Sequence, residues 1–304
     1  MSRLTSYIKA MRLRTLPLSV AGVSLGLMLA IADYQVRWPV IILTLTTTVC
    51  LQILSNLSNE LGDFLRGTDR VEDRLGPAYT LSAGELTSAH LKVMIAFFVI
   101  LCCVSGLGMI WFSFGTFIAL EPVILLMLGV TAISSAMKYT LGRNPYGYRG
   151  LGDLYVFIFF GIVSVTGSYF VASHEIRSWI ILLPAASIGF FSMGVLNINN
   201  IRDIKTDIRT RRTIPIIIGE RWAKVYHASL LAAGWIAMFL YASMRMFDWW
   251  HYIFVLTLPL FVFNVAGVWK NSGRSLDKML PQLSASTLLF ALSSGIGFVI
   301  YLFF

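Results

Sequence analysis

Two short stretches place amides and carboxylates where an otherwise apolar chain has little use for them. "LSNLSNELGDFLRGTD" runs from Leu54 to Asp69, and "LNINNIRDIKTD" runs from Leu196 to Asp207. If the first continues as a helix, Asn56, Asn59 and Asp63 fall at i, i+3 and i+7 on one face, with Asp69 following Gly67. In the second, Asn199, Asp203 and Asp207 fall at i, i+4 and i+8, with Asn200 beside them. Both contain Asn-x-x-x-Asp, at Asn59/Asp63 and at Asn199/Asp203. Carboxylates gathered near helix C-termini, at the edge of a low-dielectric region, repel one another and the helix dipole. A hard divalent cation removes that cost. Oxygen donors without a neighbouring Cys or His suit Mg²⁺, which commonly shares its coordination with substrate phosphates. Interspersed cations (Arg66, Arg70, Arg202, Lys205, Arg209, Arg211 and Arg212) add guanidinium groups that match phosphate oxygens. Together these residue types suit a diphosphate held through Mg²⁺. The plainer reading, acids that merely balance basic loops, explains one such stripe better than two matching ones.

The elements that must position these stripes are legible in the hydropathy. Of the 304 residues 57% are hydrophobic and only 13% charged, against roughly a quarter charged in soluble domains. Nine apolar runs are each long enough to cross a bilayer as a helix: 15–31, 38–55, 91–112, 118–137, 154–172, 179–198, 225–244, 249–268 and 283–304. No soluble domain is left over, so residues 1–304 read as a single transmembrane unit. With the N-terminus cytoplasmic, the inner segments hold 21 of the 24 Lys and Arg residues, and the outer loops hold only Arg37, Arg177 and Arg245. This asymmetry predicts an all-α polytopic membrane protein of nine helices, N-terminus inside and C-terminus outside. It also accounts for the net charge of +9 as a topology signal rather than an affinity for nucleic acid. Both acidic stripes then emerge at the cytoplasmic face, from spans two and six. The basic, amphipathic N-terminus is followed by no clear signal-peptidase site. Cys50, Cys102 and Cys103 lie inside apolar runs, without disulfide or metal spacing.

These stripes resemble the two aspartate-rich motifs of the UbiA superfamily of intramembrane prenyltransferases. Supporting stretches are "RLRTLPLSVAGVSLG", "GRNPYGYRGLGDLYVFIFFG" and, after the second motif, "GERWAKVYH", which together span about residues 10 to 230. The resemblance runs to the branch whose acceptor is 1,4-dihydroxy-2-naphthoate. It implies Mg²⁺ ions held by Asn59, Asp63 and Asp69 and by Asn199, Asp203 and Asp207, with Asn59, Asp63, Asp203 and Asp207 essential to catalysis. It further implies a polyprenyl diphosphate donor, ionisation of its allylic C–O bond, attack by the electron-rich ring, and loss of the ring carboxyl as CO₂ to give a demethylmenaquinol. Other acceptors in the superfamily's range are 4-hydroxybenzoate, homogentisate and chlorophyllide. A bilayer of the bacterial inner membrane is the expected location.

Arg143, Arg149, Arg202, Lys205 and Arg212 are the expected contacts for diphosphate or the acceptor carboxylate. Tyr139, Tyr146 and Tyr148 either steer an allylic cation with their ring faces or form a headgroup-level belt. Arg12 and Arg14 read as topology anchors or as partners of the acidic acceptor. Asp153 reads as a helix N-cap, with a catalytic role as the alternative. The chain departs from the family pattern at three places. Glu60 follows Asn59 where Asp is common, Arg211 stands where Gly is expected before the basic Arg212, and Tyr79 stands where a basic residue is frequent. A cation-coupled transporter is the competing class, but its site normally lies at midplane on interrupted helices. Here both stripes lie at one face.

Overall fold

The computed structural model describes residues 3–67, 79–143, 145–208, 211–245 and 248–300. Asp69, Arg70 and Arg209 lie outside the described residues. Nine helices among the described residues are long and apolar enough to cross a membrane: α1 Arg3–Asp33, α2 Trp38–Leu65, α3 Ser88–Phe114, α4 Leu120–Lys138, α5 Gly152–Ser173, α6 Trp179–Arg202, α7 Glu220–Met244, α8 Trp249–Lys270 and α9 Gly273–Ile300. Each corresponds to one run expected from hydropathy, and the main difference is at their ends. Hydropathy ends the second run at Ser55, whereas α2 continues to Leu65, because Asn56, Ser58, Glu60 and Asp63 are all buried. Polar residues that pack inside do not stop a helix, even where they stop an apolar window.

The first helix is broken. Arg3–Met11 is followed by Arg12 in the left-handed conformation (φ 51°), a 3₁₀ turn at Leu13–Thr15, and then Leu16–Asp33. Asn56 of α2 secures this break by donating to the Met11 carbonyl and to Thr15 Oγ1, each at 2.9 Å.

One large core joins α1 and α5 to α9, with Phe191, Trp235, Phe261 and Phe290 in edge and tilted ring contacts. A second joins α2 and α3 through Leu54, Leu57, Leu91 and Phe98. In α5, residues Phe157–Gly167 widen into π-helical turns. There Gly161 lies so close to α6 that an added Cβ would stand 2.6 Å from both the Ala185 carbonyl and Gly189. Small residues let membrane helices approach in this way, and π-turns recur at functional sites.

Candidate active site

The first acidic stripe lies at the C-terminal end of α2. Gly62 is what lets it meet the following loop. A Cβ there would stand 2.5 Å from Thr140 Oγ1 and 2.8 Å from the Thr140 carbonyl carbon, so only glycine permits residues 139–140 to press against α2. Thr140 in turn donates to the Ser58 carbonyl at 2.9 Å and lies 3.2 Å from Asn59 Oδ1. Asp63 is buried and heavily engaged. Its Oδ1 accepts from the Tyr148 hydroxyl and from Arg211 Nη2, both at 2.6 Å, and its Oδ2 accepts from the Tyr79 hydroxyl at 3.3 Å. Glu60 turns away from this group. Its Oε1 accepts from Thr80 Oγ1 at 2.6 Å and from the Leu81 backbone N–H at 3.0 Å. It therefore braces the 79–81 segment that delivers Tyr79.

At the end of α6, Arg202 organises the second stripe. Its Nε and Nη2 donate to the two Asp203 oxygens at 2.8 and 2.6 Å, Nη2 also reaches Asn199 Oδ1 at 2.7 Å, and Nη1 reaches Asp277 of α9 at 2.7 Å. Asp207, one turn beyond, has its carboxyl pushed up to about 6 from the ordinary 3.8. Burial is the main cause, Arg211 opposes it, and Asp203 and Asp63 add repulsion.

Both stripes open into one cavity of about 510 Å³. Asn59, Asp63, Asn199, Asp203 and Asp207 line its polar end, with Arg12, Arg202 and Arg211. Arg12 lies with its guanidinium carbon 3.8 Å from the centre of the Tyr79 ring, and its Nη2 is buried without a hydrogen-bond partner. The cavity continues between Leu18, Thr48, Leu51, Leu128, Phe159 and Val163. The Thr44, Thr47 and Thr48 hydroxyls on this face return to carbonyls one turn back in α2, so the deep wall is largely apolar. Along one side runs a ladder of rings: Tyr139 edge-on to Tyr146 at 5.3 Å, Tyr146 stacked on Tyr155 at 3.8 Å, and Tyr155 on Phe159 at 6.2 Å. Burial raises the Tyr139 phenol to about 12, so it stays neutral.

Of the residues expected from sequence, Asn59, Asp63, Asn199, Asp203, Asp207, Arg202 and Tyr139 line this cavity. Tyr148 reaches it through Asp63, its ring flanked by Arg66 at 5.2 Å and Arg211 at 4.6 Å. Arg143, Arg149, Lys205 and Arg212 are exposed and do not line it. The reason at Arg212 is local. Residues 149 and 212 form a parallel β-bridge, and the Arg212 N–H donates to the Tyr148 carbonyl at 3.2 Å. Neighbouring side chains on an extended backbone point opposite ways, and here Arg211 takes the inward place. Asp153 is not a cap. Leu151 is the N-cap residue, and Asp153 Oδ1 accepts from the Tyr226 hydroxyl at 3.3 Å. Sequence reading missed Tyr155, Phe159 and Asp277. Tyr155 and Phe159 stand one helical turn apart, which was the available signal, while nothing near Asp277 in sequence points to this site.

Comparison with known proteins shows the family and the fold. The sequence profile of the UbiA prenyltransferase family matches residues 19–302. The chain is 37% identical to the 1,4-dihydroxy-2-naphthoate octaprenyltransferase of Escherichia coli (strain K12) over 86% of this chain and 84% of that one. It is 36% identical to the Haemophilus influenzae protein of the same name, over 98% and 97%. Among solved structures, a UbiA homolog from Aeropyrum pernix K1 superposes with a TM-score of 0.69 at 17% identity, covering 96% of this chain and 98% of that one. A UbiA homolog from Archaeoglobus fulgidus bound to DMAPP and Mg²⁺ gives 0.63 at 13% identity, covering 97% and 99%. The chain belongs to the UbiA prenyltransferase family.

Proposed function

We propose that this protein transfers a polyprenyl group from its diphosphate to 1,4-dihydroxy-2-naphthoate with loss of CO₂, a step of menaquinone biosynthesis. The observation that carries the reading is the convergence of both Asn-x-x-x-Asp stripes on one cavity that passes from a charged end to an apolar one. The naphthoate acceptor is supported by the names of relatives at 36–37% identity.

Asn59, Asp63, Asn199, Asp203 and Asp207 offer only oxygen donors, and with Asp69 they are the residues that would hold Mg²⁺. Among the described residues no three carboxylates, imidazoles or thiols gather as a complete ligand set. That donor set fits a hard cation taking its remaining oxygens from a substrate diphosphate. When bound, Mg²⁺ supplies charge neutralisation to the departing diphosphate.

The chain's own groups do the rest. Arg202 fixes Asn199 and Asp203 in place, and Tyr148 and Tyr79 fix Asp63. The diphosphate leaves with the electron pair of the allylic C–O bond. The rings of Tyr139, Tyr146 and Tyr155 present π-faces to the allylic cation, and the apolar depth of the cavity holds the polyprenyl tail away from water. The naphthol ring then attacks the allylic carbon, and its carboxyl departs as CO₂. Arg12, with a buried donor lacking a partner, suits the acceptor's anionic group. Arg143, Arg149, Lys205 and Arg212 lie outside the lining and suit capture of anions at the mouth.

The reading places the site at the cytoplasmic face of a single nine-helix unit, N-terminus inside and C-terminus outside, in a bacterial inner membrane. The Lys and Arg asymmetry supports that orientation. The test is prenyl transfer by purified protein with and without Mg²⁺, offering 1,4-dihydroxy-2-naphthoate or 4-hydroxybenzoate. Mg²⁺-dependent product and CO₂ from the naphthoate alone are expected, and loss of both in Asp63→Asn and Asp203→Asn with the fold intact. Product from the benzoate overturns the acceptor. No product from either overturns the whole reading.

A further inference from the structure

Arg211 reaches from the segment after α6 into the space between the two acid clusters. Its Nη2 donates to Asp63 Oδ1 at 2.6 Å, and its Nε stands 3.9 Å from Asp207 Oδ1. Its guanidinium carbon lies 4.6 Å from the centre of the Tyr148 ring. It thus stands between two carboxylates, Asp63 and Asp207, from different helices. The contrast with Arg202 is informative. Arg202 spreads its donors over Asp203, Asn199 and Asp277, as a structural ion pair should. Arg211 engages Asp63 through one nitrogen, and its Nε is buried with no hydrogen-bond acceptor. A buried donor without a partner is costly, and this one belongs to a planar fork suited to bidentate phosphate contacts.

A guanidinium 2.6 Å from Asp63 also cancels much of the attraction that carboxylate has for a cation. Arg211 and a divalent ion therefore compete for Asp63, whereas Arg211 and a diphosphate attract. We propose that Arg211 is an exchangeable counter-ion: it holds Asp63 until a metal-bound diphosphate arrives, then yields Asp63 to the metal and turns its fork onto the diphosphate oxygens. The Tyr148 ring is the surface across which it pivots. Cation and diphosphate then bind with positive coupling, each removing the obstacle to the other. This rests on the Mg²⁺–diphosphate reading of the site.

The test uses the full chain in detergent and reads binding rather than turnover: Mn²⁺ alone by electron paramagnetic resonance, and geranyl diphosphate with Mg²⁺ by calorimetry. In Arg211→Gln, Mn²⁺ is expected to bind about tenfold tighter, while geranyl diphosphate binds about tenfold more weakly. Arg211→Lys, which keeps the charge and loses the fork, is expected to retain wild-type Mn²⁺ affinity and still lose diphosphate affinity. Both ligands weakening together, with a lowered melting temperature, makes Arg211 a structural latch and overturns the proposal. Unchanged binding of both overturns it as well. If wild-type protein binds neither probe, the diphosphate reading itself fails, and that result is distinct from either pattern in the variants.

Discussion

Arg202 Nη1 donates to Asp277 at 2.7 Å and so ties the end of α6 to the start of α9. Arg14 approaches the other Asp277 oxygen at 3.8 Å, bringing α1 into the same cluster. An acid near the far end of the chain thus supports the second acidic stripe without lying beside it in sequence. Asp277→Ala is expected to leave a buried guanidinium under-paired and cost about 1–3 kcal/mol. Thermal unfolding in detergent checks this, and kcat/KM should fall with Mg²⁺ still required.

Glu60 is buried yet points at Thr80 and Leu81 rather than at the acid cluster. Glu60→Gln keeps an oxygen for both donors, so its Mg²⁺ requirement should match wild type at a cost of about 1 kcal/mol. Glu60→Ala orphans both donors and is expected to cost more, by about 1–3 kcal/mol for each. A Mg²⁺ titration that shifts strongly in Glu60→Gln would instead make Glu60 a ligand.

Burial pushes the Asp207 carboxyl up to about 6 from its ordinary 3.8. The raised value means that ionisation opposes folding, so stability from the protonated form is lost as pH rises through about 6. Asp207→Asn should therefore raise the melting temperature at pH 7.5 while abolishing turnover. In wild type, half-saturating Mg²⁺ should climb as pH falls below about 6, because a protonated carboxyl is a poor ligand. A flat Mg²⁺ requirement between pH 5 and pH 7.5 would contradict this.

Gly129 of α4 lines the cavity, and a Cβ added there meets nothing within 4 Å. Gly129→Trp is expected to fill that space. Transfer from a long polyprenyl diphosphate should drop about tenfold, as overpacking of a fitted site does, while geranyl diphosphate remains a substrate. Equal losses for both donors would place the tail elsewhere.

The nine helices were legible because apolar length is a strong signal, and the stripes were legible because period 3.6 aligns Asn59 with Asp63 and Asn199 with Asp203. The ends of the helices were not, since hydropathy cannot distinguish Asn56 and Glu60 packed inside from the same residues in water. The choice between Arg211 and Arg212 was equally hidden. It is decided by one backbone bridge between residues 149 and 212, which no local pattern announces. Nor did the sequence announce that the Tyr148 hydroxyl is spent on Asp63 and that its ring is flanked by Arg66 and Arg211.

The cavity is walled by Arg12 near one end of the chain and by Leu280 and Ser284 near the other. α9 packs directly along α1. During synthesis the helices enter the bilayer in order, so the ring around the cavity stays open until its last member arrives. Both acid stripes precede α9 in the chain, so the residues at the charged end are made before the wall that α9 supplies is complete. A chain ending at Lys270 is expected to insert its first eight helices and to retain no prenyl diphosphate, which filter binding on the truncated protein would reveal.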